Sequence, residues 1–180
     1  MDKTMNTQTL NRKEWPIDHM GYENAVWHTP IIAGLVAAYP EAVYHEIGVL
    51  RGDCWRSAAA NAAEAHGVDV MDSWPYMDNI GQLWHMKSQQ FFREYDGPPP
   101  DVVFVDGDHY LPTCRNDVFS ALSILAPGGT IAVHDTLPPP ITRRELSGDG
   151  WQVREELERN MRLETFTIWR YPGLTFVRAR

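Results

Sequence analysis

Asp101-Val-Val-Phe-Val-Asp-Gly-Asp-His-Tyr110 runs four apolar residues straight into two carboxylates and an imidazole. A strand with one wet face alternates apolar and polar residues. The unbroken run at 102–105 therefore predicts a strand buried on both faces, as in a parallel sheet covered by helices on each side. The polar residues that follow then fall at the carboxyl end of that strand, the edge beyond which open parallel sheets bind ligands. Taken alone, "DGDH" reads equally well as an Asp-Gly turn, so the surrounding chain has to decide.

Working outward, strand and helix patterns alternate. Ile31, Ile32, Leu35 and Val36 have helical spacing from Thr29, stopped near Pro40. "AVYHEIG" (42–48) reads as a short buried strand. "CWRSAAANAAEAH" is alanine-rich and helical, with Gly67 placed to end it, and "VDVMD" (68–72) reads as the second strand. "IGQLWHMKSQQFFREY" (80–95) reads as a helix with Leu83, Met86, Gln90 and Phe91 along one side, ended by "GPPP". "CRNDVFSALSIL" is helical up to Pro127-Gly128-Gly129, and "TIAVHD" (130–135) is the fourth strand.

The tail changes character. "LETFTIW" and "LTFVRAR" are strand-like and separated only by Arg170-Tyr-Pro-Gly173, which predicts an antiparallel hairpin. Before it lies "TLPPPITRRELSGDGW" (136–151), rich in Pro and Gly, a candidate loop over a site. The expected fold is α/β: a Rossmann-like, doubly wound, mostly parallel sheet ending in an antiparallel hairpin. It would occupy residues 29–180, preceded by a polar arm at 1–28.

The 180 residues suffice for one domain with a substantial core. A net charge of −8 argues against nucleic acid or an anionic membrane as the main partner. No apolar run approaches the roughly 20 residues that span a bilayer, and "MDKTMNTQTLNRKEW" has no signal-peptide core. Cys54 and Cys114, far apart and outside any CxxC pair, suit reduced thiols in a cytoplasmic protein.

The unusual polar residues cluster at the ends of the expected strands. Gly48 and Gly52 bracket a tight strand-to-helix turn after Glu46, where backbone amides can approach a ligand. The middle glycine of GxGxxG is absent, which weakens a nicotinamide-dinucleotide reading. Asp72, the last residue of "VDVMD", could accept hydrogen bonds from a ribose diol, and Trp74 could pack on an adenine. Each has a plain alternative, a turn carboxylate and a core tryptophan. Asp106 and Asp108 offer hard oxygen donors, and His109 a nitrogen that titrates near neutrality. Asp106 with Asp135 and His134 would make a divalent-metal site from two adjacent strand ends. The spacing of a calcium-binding EF-hand loop is absent.

Together these residues resemble the class I S-adenosylmethionine-dependent methyltransferases, and among them the small-molecule O-methyltransferases of the macrocin and catechol type. "HEIGVLRG" is similar to their ExGxxxG motif, "DVVFVDGDHY" to their metal and catalytic strand, and "LAPGGTIAVHDT" to the next helix end and strand. The resemblance covers residues 29 to 180. It implies S-adenosylmethionine as cofactor, bordered by Glu46, Gly48, Gly52 and Asp106, with Asp72 on the ribose; Trp74 would have to stand in for the family's adenine-contacting loop. It also implies a divalent metal, magnesium or manganese, on Asp106, His134 and Asp135. His109, three positions after Asp106, would deprotonate a hydroxyl on a small-molecule acceptor. Members of the family carry a carboxylate where this chain has His134, and a His/Asp/Asp set suits manganese, iron or zinc at least as well as magnesium.

Only 34 positions separate Asp72 from Asp106, with one helix and no strand between them in this reading. One strand–helix unit of the family is therefore expected to be missing or compressed, and a sheet edge so exposed would invite a second copy of the chain. A non-catalytic nucleoside-binding relative and a metal-dependent hydrolase are the alternative functions.

Overall fold

The computed structural model describes residues 26–139 and 148–180. Its sheet contains β1 (Val43–Ile47), β2 (Glu64–Asp69), β3 (Gln82–His85), β4 (Val102–Val105), β5 (Thr130–His134), β6 (Leu163–Ile168) and β7 (Leu174–Ala179). The strand order is β3-β2-β1-β4-β5-β7-β6. β1 to β5 are parallel, β7 runs antiparallel to β5, and β6 closes the hairpin. The doubly wound sheet with a terminal hairpin is thus the architecture the sequence predicts. Among the described residues no helix is long and apolar enough to cross a membrane.

Two layers of helix bury the two faces. On one, α1 (Thr29–Ala37) and α2 (Trp55–Ala59) enclose Ile32, Val36, Tyr44, Trp55 and Phe104. On the other, α3 (Ser88–Glu94), α4 (Leu111–Ile124) and α5 (Val153–Arg159) enclose Ile47, Phe91, Val118, Ile131 and Leu157. All four residues of β4 are buried, as an apolar run without alternation requires.

Three local expectations are corrected. The alanine-rich helix ends at Ala59, and β2 begins at Glu64, so Gly67 sits within a strand opposite Glu46. Helix propensity loses here to sandwiching between β1 and β3. The helix expected over 80–95 is half strand: Gln82–His85 form β3, with Leu83 and Trp84 on opposite faces. The strand–helix unit is therefore present and compressed, its β2-to-β3 crossover reduced to a 3₁₀ turn at Trp74–Tyr76. Finally, α5 and the 3₁₀ turn Gly150–Gln152 before it were not foreseen. The expected arm falls almost wholly outside the described residues, which begin at 26.

Inside the second layer, His45 is completely enclosed against His66, Phe91 and Tyr95. Neither of its ring nitrogens has a hydrogen-bond partner. His66, by contrast, engages Glu64 at 2.7 Å and accepts the Trp84 indole N–H at 3.1 Å.

Candidate active site

The carboxyl ends of β1, β2, β4 and β5 share one edge because those strands are parallel. At the end of β1 the chain turns through Gly48, at φ +93°. A Cβ there would lie 2.3 Å from the Asp106 carbonyl oxygen. The missing side chain is what lets the glycine loop lie directly against the end of β4. Gly52, at φ +67°, plays the same part against the Tyr76 carbonyl, 2.4 Å from a Cβ placed at that position. The Arg56 guanidinium clamps this contact by donating to the Arg51 and Tyr76 carbonyls at 2.8 and 3.0 Å.

Gly48→Ala is therefore expected to destabilise the fold by at least about 1–3 kcal/mol, since the backbone conformation and a backbone clash both oppose it. Gly34→Ala, a helical site with nothing within 4 Å of the added methyl, is the control. Urea unfolding checks this; equal losses in the two variants would contradict it.

Glu46 lies beneath the loop and is 1 % exposed, so it presents no face to the open edge. Burial pushes its carboxyl well above the usual carboxylate range, against the pull of the Tyr44 hydroxyl that donates to it at 2.5 Å. Asp72 does not end a strand. It is exposed, and its carboxylate accepts the Trp74 amide at 3.3 Å. The carboxylate that does end β2 is Asp69, which the sequence reading passed over. It accepts the Leu50 amide of the glycine loop at 2.7 Å and the Met71 amide at 2.8 Å. The error follows from the register of β2, set three residues too late at its carboxyl end. Trp74 stands on the compressed crossover, 43 % exposed.

The expected metal residues do come together. Asp106, His134 and Asp135 each offer a donor atom, all within 4.8 Å of one another. His134 Nδ1 lies 2.9 Å from Asp106 Oδ1 and 3.5 Å from Asp135 Oδ1. Its Nε2 is enclosed without a partner, so the protein alone leaves this ring incompletely satisfied. Burial lowers the His134 pKa, yet the Asp106 carboxylate outweighs it and the net direction is upward. Asp135 holds a left-handed backbone at φ +54°, uncommon for a residue with a side chain and a conformation that collects at functional sites.

His109 Nδ1 lies 2.8 Å from Asp135 Oδ2, the oxygen turned away from His134. That hydrogen bond lifts the imidazole pKa from 6.5 to about 9, against burial. Asp135 in turn is held below the usual carboxylate range: burial would raise it, and the His109 hydrogen bond and the His134 charge prevail. Asp108, whose role the motif left open, accepts the Tyr110 amide at 3.1 Å and closes the turn into α4. Cys114 nearby is buried, and burial pushes its thiol up to about 12, which leaves it unreactive.

Further residues reach this edge from outside the strand-end motifs, two of them from the described end of the Pro- and Gly-rich stretch expected to lie over a site. Gly150 donates its amide to the His109 carbonyl at 2.7 Å, and Asp149 accepts the Leu111 amide at 2.7 Å, tying the chain before α5 to the segment that carries His109. His28, buried at the start of α1, places its ring 4.2 Å from that of His134.

Comparison with known proteins bears on the family and the fold. Residues 35–136 match a family model described as a methyltransferase domain. No curated protein matches the sequence. Among solved structures, the O-methyltransferase of Bacillus cereus bound to S-adenosylhomocysteine superposes with a TM-score of 0.68 at 15% identity, covering 91% of this chain and 88% of that one. TomG, an O-methyltransferase of Streptomyces achromogenes involved in tomaymycin synthesis and bound to S-adenosylmethionine, gives 0.69 at 16%, covering 88% of each chain. A Podospora anserina methyltransferase bound to S-adenosylhomocysteine gives 0.69 at 14%, covering 85% of this chain and 78% of that one. At these identities the likeness is one of fold.

Proposed function

This chain belongs to the methyltransferase-domain family, and from that premise we propose that it transfers the methyl group of S-adenosylmethionine to a hydroxyl of a small molecule with help from a divalent cation. The observation that carries this reading is the convergence of Asp106, His134 and Asp135 within 4.8 Å, with His109 paired to the far oxygen of Asp135. When bound, S-adenosylmethionine supplies a methyl on a sulfonium, and a divalent cation lowers the pKa of the acceptor hydroxyl.

The donor set fits a cation. Asp135 divides its oxygens, Oδ1 toward His134 and Oδ2 toward His109, so it serves ligand and base together. One imidazole nitrogen with two carboxylates suits manganese, iron or zinc as well as magnesium. His109 donates Nδ1–H to Asp135. A cation held by Asp106 and Asp135 would offset the carboxylate charge that favours the His109 imidazolium. The neutral ring would then offer its Nε2 lone pair to the acceptor's proton, with Asp135 stabilising the imidazolium that results. The cofactor would lie along the glycine loop, its ribose diol at Asp69 and its adenine beside Trp74. Asp69 takes the ribose role in place of Asp72 because it is the carboxylate at the strand end beside the loop.

The assignment makes paired substitutions informative. Asp69→Asn is expected to weaken S-adenosylhomocysteine binding about ten-fold or more, the loss of a charged hydrogen-bond acceptor. Asp72→Asn is expected to leave it unchanged. Calorimetric titration reads both. Absence of any heat from the unaltered chain at millimolar ligand would sink the proposal, and equal losses in the two variants would sink the role given to Asp69.

A further inference from the structure

β6 has two unlike faces. Leu163, Thr165 and Thr167 point toward α5, where Leu163 packs in the layer that holds Leu157 and Val177. Glu164, Phe166 and Ile168 point the other way, into the α1 layer. There Phe166 stands beside Phe176 of β7, their rings stacked at 23° with centroids 6.4 Å apart.

α1 stops short of this pair. Between that helix and β6 runs a groove of about 670 Å³ whose lining includes Leu35, Met161, Phe166 and Phe176. Nothing among the described residues covers it: Phe166 is 66 % exposed and Met161 77 %. The groove is continuous with the core, since Leu35, Ile168 and Phe176 pack against the cluster around Tyr44 and Phe104. A contiguous apolar wall of this kind marks a docking surface.

The chain itself supplies an occupant. Residues 1–25 precede the described ones, and the described chain starts beside the hairpin. The Trp27 indole N–H donates to the Tyr171 carbonyl at 3.2 Å, and the Arg170 guanidinium carbon lies 5.3 Å from the Trp27 ring centroid. Phe166 lies five positions back along the chain from Tyr171, roughly 17 Å at the rise of a strand. Tyr22, Met20 and Ile17 stand four, six and nine positions before Val26, reaches of up to roughly 13, 20 and 30 Å. Those reaches bracket the distance to the groove. A segment tethered so closely meets it at an effective concentration on the order of millimolar, which a second copy of the chain would have to match from free solution.

We propose that residues 17–22 of this chain occupy the groove between α1 and β6, with Ile17, Met20 and Tyr22 packed on Phe166 and Phe176. The segment thereby extends the cover of the sheet on its α1 side to the terminal hairpin. Neither cofactor nor cation takes part, so this docking stands or falls apart from the methyltransferase reading.

Hydrogen exchange of the full chain, read by mass spectrometry, tests it. Amides of residues 17–24 are expected to exchange about ten-fold or more slowly than in a free peptide of the same sequence. Phe166→Glu puts a charge in the groove and is expected to return them to the free-peptide rate, while α1 and β1 keep their protection. Ile17→Asp, made outside the described residues, is expected to do the same without touching the hairpin. The inference is overturned if these amides exchange at the free-peptide rate in the unaltered chain, or if their protection survives either variant. Sedimentation velocity separates the arm from a second copy as occupant. Phe166→Glu is expected to leave the sedimentation coefficient unchanged. A dimer that this variant dissociates, with exchange of residues 17–24 unaltered, would give the groove to another copy and overturn the assignment.

Discussion

His109→Gln is expected to lower the rate of methyl transfer about 100- to 10,000-fold, the usual range for removing a positioned general base. The binding of S-adenosylhomocysteine should be untouched, because His109 stands at the end of β4 with Asp135 and the glycine loop contacts Asp106 and Asp69. Glutamine retains a side-chain amide that can donate to Asp135 Oδ2, so the carboxylate keeps a partner and the fold is spared. What it cannot do is accept and release a proton. Single-turnover transfer from methyl-labelled S-adenosylmethionine, measured beside calorimetric cofactor affinity, separates the two. A variant that transfers methyl at the native rate would remove His109 from the reaction, and one that loses cofactor binding would make its role structural.

The second large effect concerns stability in acid and arises far from the reaction. Burial, with His66 adding, pushes the pKa of His45 from 6.5 down to about 3. The folded protein thus holds His45 neutral while the unfolded chain protonates it below pH 6.5. Lowered folded pKa means that stability is full above 6.5 and is lost progressively as the pH falls toward 3. The whole window corresponds to about 4–5 kcal/mol, and the part between pH 7 and 4.5 to about 2–3 kcal/mol. His45→Leu, of similar volume and unable to ionise, should unfold in urea with a pH dependence shallower by that smaller amount. Whatever the packing change does to the variant's stability at pH 7, the comparison of slopes isolates the protonation. Equal slopes in the two proteins would contradict the account.

The parts of the fold legible in sequence are those whose burial is total or whose turn is local. Val102, Val103, Phe104 and Val105 announce a doubly covered strand because nothing polar interrupts them, and all four are buried. The hairpin follows from two strand patterns joined by Arg170-Tyr-Pro-Gly173. Local patterns misled where tertiary contacts set the outcome. The alanines before Gly67 favour helix, yet Ala65, His66, Gly67 and Val68 are buried between two neighbouring strands. Leu83 and Met86 have helical spacing, yet Leu83 and Trp84 straddle an edge strand. Moving β2 by three residues was enough to transfer the strand-end carboxylate from Asp72 to Asp69.

The site shows the same division. Asp106, His109, His134 and Asp135 sit at ends of strands that the apolar runs define, so their convergence could be anticipated. His28, Asp149 and Gly150 reach the site from distant positions in the chain through packing that no local spacing encodes. Glu46 shows the reverse: its motif position suggested contact with a ligand, and its enclosure beneath the loop assigns it to the floor.

The central claim is that Asp106, His134 and Asp135 hold a cation that the transfer requires. The most direct measurement is methyl transfer from labelled S-adenosylmethionine to a panel of hydroxylated small molecules, after chelation and again after readdition of magnesium or manganese, in the unaltered chain and in Asp106→Ala. The account predicts transfer that chelation abolishes and either ion restores in the unaltered chain, with no restoration in the variant. Transfer that proceeds undiminished in excess chelator would contradict it.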